Sequence, residues 1–430
     1  MTSEKDATYS EAYVWIWLPG ASEPVVAGLL SKQGGQLVFN YGRSYLARQD
    51  AIAIYEPELP LRPGALPLLP GLSMPGCIRD ASPDAWGRRV LINRKLGMKG
   101  GGATQVELDE LTYLLESGSD RIGALDFQLS ATQYLPRHTQ QPTLEELLTA
   151  AEKVERGLPL SPELDQAMLH GTSLGGARPK VLLDDGARKF IAKFSASNDL
   201  YSVVKAEFIA MRLASEVGLH VAPVYLRSAL GKDVLLIERF DRVWSDDHWH
   251  RRAMVSALTM LELDEMMAAY ASYEKLAEII RYRFINPKAT LRELFSRIVF
   301  NILCGNTDDH ARNHAAFWDG SKLTLTPAYD ICPQSRAGQT ASQAMLICGA
   351  ERTSQVGACI SAASVFQLNQ QEAIHIVNHQ VKVIEQQWQA ICDEAALSEV
   401  DRALFWRRQF LNPFAFLNAP NGVYVPLPVS

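Results

Sequence analysis

The sequence predicts an α+β protein whose first half is mixed and whose second half is mainly helical. Short β-branched and aromatic runs, broken by glycine and proline, fill the first half and are typical of strands and turns. Beyond residue 256, apolar residues recur at helical spacing, most clearly between Leu291 and Leu303. A dense group of polar residues at 305–314 follows this helix directly, so we expect a functional loop there.

Length and composition restrict the class of protein. A chain of 430 residues is too long for one ordinary core, and 47% hydrophobic residues can fill two or three domains. The formal net charge of −6 argues against nucleic-acid binding over the whole surface. The six cysteines include no C-x-x-C pair, which favours a reducing cytoplasm over a disulfide framework or a zinc knuckle. The polar N-terminus and the lack of a long apolar run predict neither export nor a membrane span.

The N-terminal part is predicted to be a separate α/β subdomain spanning residues 1–130. Three β-like stretches form a meander in this prediction, at 13–18, 25–30 and 37–41. A helix through Trp86 is expected to start near Pro83, with Ser82 as its cap. A polar stretch with two prolines then serves as a linker, and Thr143 with Glu146 forms a capping box for the next helix.

A glycine-bearing loop and a hairpin follow in the predicted second domain. The loop reads GTSLGGARPK at 171–180, and its backbone N–H groups could approach phosphate oxygens, although a simple turn is the alternative. No G-K-S/T ending is present, which excludes a Walker loop. Lys193 lies in the second strand of the hairpin between apolar residues, where a buried ammonium group needs an anionic partner.

Two further features of this domain bear on nucleotide binding. The helix expected at 202–217 carries Glu207, which is either the partner of Lys193 when no nucleotide is bound or an exposed helix glutamate. A buried strand at 234–237 runs directly into Glu238, and we predict that the following residues form a hinge whose backbone faces adenine. Residues 244–252 are expected to be a solvated surface loop without metal ligands.

The polar loop at 305–314 has the spacing of phosphoryl-transfer chemistry. Four residues separate Asp308 from Asn313, which is the interval of a protein-kinase catalytic loop. A predicted hairpin then leads to Asp330, so that base, metal amide and metal carboxylate occur in the kinase order. We therefore predict a bilobal protein-kinase-like fold with the extra N-terminal subdomain, a small lobe at 143–255 and a helical large lobe at 256–430.

Together these motifs resemble the HipA family of bacterial serine/threonine kinases, the toxin halves of type II toxin–antitoxin pairs. The resemblance covers nearly the full length of the chain. It rests on PDAWGR at 83–88, SLGGARPK at 173–180, AKF at 192–194, ERFDR at 238–242, NTDDHARN at 306–313 and PAYD at 327–330.

The resemblance implies ATP and Mg²⁺ as cofactors and assigns the site residues. Asp308 would be the catalytic base or orienting carboxylate, Lys193 would contact the nucleotide phosphates, and Asn313 with Asp330 would hold the metal. The other nucleotide contacts that it implies are Gly175, Gly176, Ala177, Arg178, Pro179, Lys180, Glu238, Arg239, Phe240, His310 and Tyr329.

Regulation and two departures from the family pattern follow from the same comparison. Ser173 matches the serine that family members autophosphorylate, which ejects the loop and switches the kinase off. A doubly charged group in a phosphate-binding loop would oppose nucleotide binding by like-charge repulsion. Asp309 stands where glycine is frequent, which leaves open whether it assists the site or faces solvent, and Arg178 stands where glutamine is common.

The implied function is an ATP-dependent serine/threonine protein kinase that acts as the toxin of such a pair. Its implied target is a cytoplasmic protein, with an aminoacyl-tRNA synthetase suggested by the family. Its implied partner is a DNA-binding, HipB-like antitoxin, through which alone DNA is contacted, and no membrane is involved. The alternatives are a small-molecule kinase on the same scaffold and a catalytically silent corepressor, although the intact set of site residues argues against the corepressor.

Overall fold

The computed structural model describes residues 9–96, 108–137, 142–156, 158, 160–161, 164, 168, 178–195, 199, 201–336, 338 and 340–426. The chain divides into two compact units. The first contains Met1–Asn198, Ser228–Val255 and Phe317–Ser321, and the second contains Asp199–Arg227, Ser256–Ala316 and Lys322–Ser430. Within the described ranges, none of the helices combines the length and the apolar character that crossing a membrane requires.

The first unit begins with an antiparallel sheet in the order β4-β3-β2-β1-β5. Its strands are β1 (Glu11–Ile16), β2 (Val25–Gln33), β3 (Gln36–Tyr41), β4 (Ala65–Leu66) and β5 (Leu125–Gln128). The predicted meander is therefore confirmed. Alternate residues of β1 and β3 are buried, as expected for a sheet with one face on a core.

In the described part of the first unit, five helices accompany these strands. They are α1 (Arg43–Leu46), α2 (Gly76–Arg79), α3 (Ala85–Leu96), α4 (Glu110–Glu116) and α5 (Leu144–Glu155). The capping box of Thr143 and Glu146 at the start of α5 is confirmed. The predicted cap of α3 is wrong, because the Asp84 carbonyl accepts the hydrogen bond from the Arg88 N–H, whereas the Ser82 hydroxyl donates to Glu110.

A second sheet has the order β6-β7-β9-β8. Its strands are β6 (Lys180–Asp184), β7 (Lys189–Phe194), β8 (Val224–Ala229) and β9 (Lys232–Glu238), which confirms the predicted hairpin and the strand before the hinge. Residues 244–252 are not a plain loop, because β10 (Arg242–Ser245) and β11 (His248–Arg251) form a hairpin. Trp244 and Trp249 lie opposite each other there, with ring centroids 5.3 Å apart, and this cross-strand pair accounts for the hairpin.

Helices dominate the second unit. They are α6 (Val203–Glu216), α7 (Ala257–Met260), α8 (Tyr273–Arg283), α9 (Pro287–Cys304), α10 (Val356–Ser361), α11 (Gln370–Glu394) and α12 (Glu399–Phe405). Short 3-10 helices occur at Glu265–Tyr270, Ala311–Asn313, Ala363–Phe366 and Pro413–Phe416. Three short strands, β12 (Met254–Ser256), β13 (Ala315–Trp318) and β14 (Leu323–Leu325), form a sheet in this order.

Helix α9 is the central helix of the second unit, and its end sets the start of the polar loop. Its apolar residues from Leu291 onward, including Phe295 and Leu303, are fully buried. Gly305 ends it with a left-handed backbone (φ 75°), and a Cβ atom there would lie only 2.8 Å from the carbonyl oxygen of Gln409. Glycine is therefore required both by the backbone angle and by this close approach.

We expect Gly305→Ala to destabilise the second unit by more than the about 1–2 kcal/mol of left-handed strain alone, because the new methyl group also meets the Gln409 backbone. Gly218→Ala is the matched control, since Gly218 also has a positive φ of 89° but nothing within 4 Å of its Cβ position. Thermal unfolding of the two variants measures the difference. Equal losses of stability in both would contradict the close contact at Gly305.

Candidate active site

The polar loop leaves α9 in a fixed direction. The backbone N–H of Asn306 donates to the Asn301 carbonyl at 2.8 Å, and its side-chain amide donates to Asn301 Oδ1 at 3.1 Å. Asn306 is buried, so this first residue of the loop is packed against the helix. The rest of the loop therefore starts from a residue that is fixed to the helix.

Asp309 anchors the loop from inside. Its Oδ2 atom accepts three hydrogen bonds, from Asn301 Nδ2 at 2.7 Å, from His314 Nε2 at 2.9 Å and from the Tyr273 hydroxyl. Burial alone would raise the pKa of Asp309, but His314 and the hydrogen bonds from His314 and Tyr273 hold that pKa below its usual value. The alternative that Asp309 faces solvent is wrong, because its side chain is buried.

Asp308 points the other way and is exposed to solvent. Its pKa is raised, first by partial removal from water and then by the carboxylates of Asp330 and Asp309, while His310 opposes the rise. The Asn313 side-chain amide donates to the Asp308 carbonyl at 3.2 Å. The loop therefore brings the predicted base and the predicted metal amide together, with the Asp330 carboxylate close enough to influence the base.

Asp330 follows the β13–β14 hairpin in the chain. Its backbone is left-handed, with φ 58°. A positive φ is uncommon for a residue with a side chain, and such strain is often found at functional sites. The preceding Tyr329 fixes this geometry, because its hydroxyl donates to the Arg312 carbonyl at 2.7 Å. Ala328 is held by a backbone hydrogen bond to His220 at 2.8 Å, so the chain entering Asp330 is attached on two sides.

The first unit presents two buried lysines on one face of its second sheet. Lys180 of β6 lies directly opposite Lys193 of β7. The Phe194 N–H donates to the Pro179 carbonyl at 3.0 Å, so the lysine pair occupies the adjacent non-hydrogen-bonded position, where side chains stand closest. Both lysines are buried on this face, and lysine side chains are common ligands of phosphate.

Residues 171–177 of the predicted phosphate loop lie outside the described residues, and with them the predicted site residues Ser173, Gly175, Gly176 and Ala177. Arg178 is half-buried and Pro179 is buried at the entry to β6. The indole N–H of Trp86, on α3, donates to the Lys180 carbonyl at 2.9 Å, and Trp86 is fully buried. Helix α3 therefore holds the end of this loop, a role that the sequence did not indicate.

Two residues of the predicted hinge, Arg239 and Asp241, are buried in the first unit. The guanidinium of Arg239 donates to both carboxylate oxygens of Asp241 at 2.9 Å and pairs with Asp120 at 3.1 Å. The Arg239 N–H donates to the Lys189 carbonyl at 2.8 Å. Because the side chain and the N–H of Arg239 already have partners, its carbonyl group is the part that can make the predicted nucleotide contact. Phe240 packs edge-to-face against Phe317, with ring centroids 5.9 Å apart.

The same buried network joins the hinge to the end of the N-terminal sheet. Arg242 donates to Asp120 Oδ1 at 3.0 Å and to the Gly123 carbonyl at 2.9 Å, and the Gly123 N–H donates to Asp241 at 2.8 Å. Burial opposes ionisation of Asp120, but Arg239 and Arg242 hold its pKa well below the usual value. The hinge is thus fixed by charges that lie far away in sequence.

Two other predicted site residues have defined surroundings. Glu238 ends β9, is half-buried and lies 3.9 Å from the guanidinium of Arg188. Glu207 is buried on α6, so the alternative of an exposed helix glutamate is wrong. Its pairing with Lys193 stays a prediction.

Comparisons with known proteins agree with this geometry. A family model described as the HipA-like C-terminal domain matches residues 172–388, and one described as the HipA N-terminal domain matches residues 17–128. The chain resembles the solved structure of the HipA, HipB and operator DNA complex from Shewanella oneidensis MR-1, with a TM-score of 0.66 and 20% identity over 92% of this chain and 93% of that one. The predicted kinase-like α+β fold is confirmed.

Two curated relatives add to the family assignment. The protein Y4mE of Sinorhizobium fredii, which is named as a kinase, is 26% identical over 341 residues, covering 74% of this chain and 76% of the relative. The serine/threonine-protein kinase toxin HipA of Shewanella oneidensis is 27% identical over 186 residues, covering 37% of this chain and 42% of the toxin. Since a HipA model matches half of it, the chain belongs to the HipA family.

The two neighbouring aspartates are expected to change stability in opposite directions. Asp309→Asn should lower the free energy of unfolding at pH 7.5 by about 2 kcal/mol or more, because three buried donors lose their charged acceptor. Asp308→Asn should raise the melting temperature at pH 7.5, because the raised pKa means that ionised Asp308 disfavours folding.

The pH dependence gives the control for this pair. The stability contributed by Asp309 is present above the pKa of the unfolded chain and is lost as pH falls through the lower pKa of the folded state. The cost at Asp308 likewise vanishes once the carboxyl group is protonated in both states. In thermal unfolding experiments the Asp308→Asn difference should therefore shrink as pH falls toward about 4, whereas the Asp309→Asn difference should persist there and shrink only at lower pH. A loss of stability in both variants at pH 7.5 would contradict the different roles of the two side chains.

Proposed function

We propose that this protein is an ATP-dependent serine/threonine protein kinase that acts as the toxin of a type II toxin–antitoxin pair. The observation that carries the proposal is the arrangement of the loop, in which the Asn313 amide donates to the Asp308 carbonyl at 3.2 Å. Partial burial first, and then the Asp330 carboxylate, raise the pKa of Asp308. A carboxylate that is accessible and less acidic than usual is suited to receive a proton from an acceptor hydroxyl.

Asp308 orients the serine or threonine hydroxyl and accepts its proton as the bond to phosphorus forms. Phosphoryl transfer has a loose transition state, so alignment of the two reactants and neutralisation of charge are the main tasks of the protein. Lys180 and Lys193 neutralise the phosphates of ATP from one face of the second sheet. The hinge residues Glu238 to Phe240 position the adenine ring.

The donor set fits Mg²⁺, which binds through one or two protein oxygens together with substrate phosphates. Asp330 and Asn313 would supply these oxygens. Among the residues that the structure describes, no three or more histidine, cysteine or acidic side chains are grouped so as to hold a metal without such phosphates. When bound, the ion neutralises charge that develops on the phosphate oxygens.

The finer parts of the proposal come from the family. The partner is a DNA-binding, HipB-like antitoxin, in keeping with the similar Shewanella oneidensis structure, which contains HipA, HipB and operator DNA. The target is a cytoplasmic protein of the aminoacyl-tRNA synthetase class, and phosphorylation of Ser173 by the kinase itself switches activity off. The added charge at Ser173 would repel the phosphates that Lys180 and Lys193 attract.

We expect Asp308→Ala and Asp330→Ala each to reduce phosphotransfer by about 100-fold or more, because one removes the base and the other the metal carboxylate. Transfer of radioactive phosphate from ATP measures the effect. Thermal unfolding provides the control, since both variants should stay folded. Undiminished labelling in either variant would show that these residues do not carry the reaction.

The class of acceptor can be tested in cells. Cultures that express the wild-type chain or Asp308→Ala are compared by phosphoproteomic mass spectrometry. New phosphorylated serines or threonines on host proteins, together with phosphorylated Ser173, are expected with the wild type alone. Phosphorylated metabolites in the absence of new protein sites would instead identify a small-molecule kinase.

A further inference from the structure

Three large apolar side chains are exposed beside the catalytic loop, on the 3-10 helix Glu265–Tyr270. Met266 is 91% exposed, Tyr270 60% and Met267 47%. Met267 and Tyr270 are three residues apart and so lie on the same side of a 3-10 helix. Single exposed apolar residues are ordinary, but three within five residues form a patch of the kind that marks interaction sites. We call Met266, Met267 and Tyr270 the apolar ledge.

The apolar ledge is attached directly to the catalytic loop. The carboxylate of Glu265, which immediately precedes Met266, accepts a hydrogen bond from the guanidinium of Arg312. Arg312 lies next to the metal amide Asn313 in sequence, and its carbonyl receives the Tyr329 hydroxyl. Arg312 therefore connects the residue before the apolar ledge with Tyr329, which precedes Asp330.

A second set of backbone contacts encloses the same region. The Leu346 N–H donates to the Ala271 carbonyl at 2.9 Å, directly after the apolar ledge. Two residues earlier, the Ala344 N–H donates to the Thr307 carbonyl at 3.1 Å, directly before Asp308. The segment 344–346 thus connects the residue after the apolar ledge with the residue before Asp308.

The charge around the apolar ledge indicates what kind of chain binds it. Residues 257–271 contain Glu262, Asp264 and Glu265 and no lysine or arginine. Arg312 pairs with Glu265, and Arg352 donates to the Ala269 carbonyl at 2.9 Å. The three carboxylates of this segment therefore outnumber the two neighbouring guanidinium groups by one. An apolar side chain with a basic neighbour complements this surface. Methionine side chains adapt to partners of different shape, which suits a site that receives more than one sequence.

We propose that the apolar ledge docks the protein that carries the acceptor hydroxyl, by holding an apolar side chain that lies near the phosphorylated residue and is flanked by lysine or arginine. This inference rests on the proposed kinase function and adds how the protein substrate is selected. Docking of this kind lowers KM for protein acceptors and leaves the reaction of ATP with water unchanged, because water needs no such contact.

The test uses the full chain with Met266→Ser and Met267→Ser combined, and Val400→Ser as the matched control. Val400 is 78% exposed on α12 in the same unit, so it reproduces the loss of exposed apolar surface. The acceptor is a library of peptides with one central serine, in which leucine, arginine and glutamate are placed in turn at each flanking position. Phosphorylation by radioactive ATP and ATP hydrolysis without peptide are both measured.

Wild type and Val400→Ser should prefer leucine at a defined position with arginine beside it, and the double variant should lose this preference with a KM increase of about tenfold or more, as expected for a lost apolar anchor. ATP hydrolysis without peptide should agree within about twofold among the three proteins. Glu262→Lys should remove the preference for arginine and keep that for leucine, because it changes the charge beside the apolar ledge and not its apolar side chains.

Several results would overturn the proposal. Equal peptide preference in wild type and the double variant would show that the apolar ledge does not select substrates. A fall in ATP hydrolysis of the double variant, parallel to its loss of peptide phosphorylation, would show that the apolar ledge supports the catalytic site and does not dock the substrate. Loss of self-association or of antitoxin binding, with peptide kinetics unchanged, would assign it to another partner. If the wild type phosphorylates metabolites and neither peptides nor proteins, the proposed protein kinase function itself fails, and the docking inference fails with it.

Discussion

Three hydrogen bonds converge on one carboxylate oxygen of Asp309, and the candidate active site depends on this convergence. Asn301 comes from the central helix, Tyr273 from the helix before it and His314 from the start of the following strand, so one buried charge ties three elements together. A buried carboxylate is tolerated only when its hydrogen bonds are satisfied, which makes the arrangement specific. With Asp309 turned inward, its neighbour Asp308 is turned outward.

The first unit uses buried charge in a similar way. Asp120 and Asp241 lie between the guanidinium groups of Arg239 and Arg242, and the backbone of Gly123 contributes a further donor. Such networks add little net stability, because removing charges from water costs nearly as much as their pairing returns. Here the ion pairs hold Arg239 and Arg242 against Asp120 and Asp241. The N-terminal subdomain therefore does more than precede the kinase-like part, since it fixes the hinge and, through Trp86, the strand that follows the phosphate loop.

The proposed catalytic residues and the proposed docking surface are separate within the second unit. The residues proposed to transfer phosphate lie on a loop fixed from beneath by buried polar contacts, whereas the apolar ledge is exposed and rich in methionine. Arg312 connects the two, because its side chain pairs with Glu265 and its carbonyl holds Tyr329. A rigid catalytic loop beside an adaptable surface allows accurate alignment of phosphate together with variation in the protein acceptor.

The sequence by itself determined the α+β class, the helix that ends at Gly305, the β6–β7 and β13–β14 hairpins and the loop with its Asp308 to Asn313 interval. Periodicity, glycine positions and short-range spacing are local properties, and these features depend on them. A polar Asn301 within the apolar helix α9 was a local signal of a buried contact, whereas nothing local linked Tyr273 to Asp309. Only the tertiary structure decided which aspartate is buried, that Lys180 stands opposite Lys193, and that the side chain of Arg239 is turned inward. These features depend on burial and on pairs of residues far apart in sequence, and local patterns do not encode such pairs.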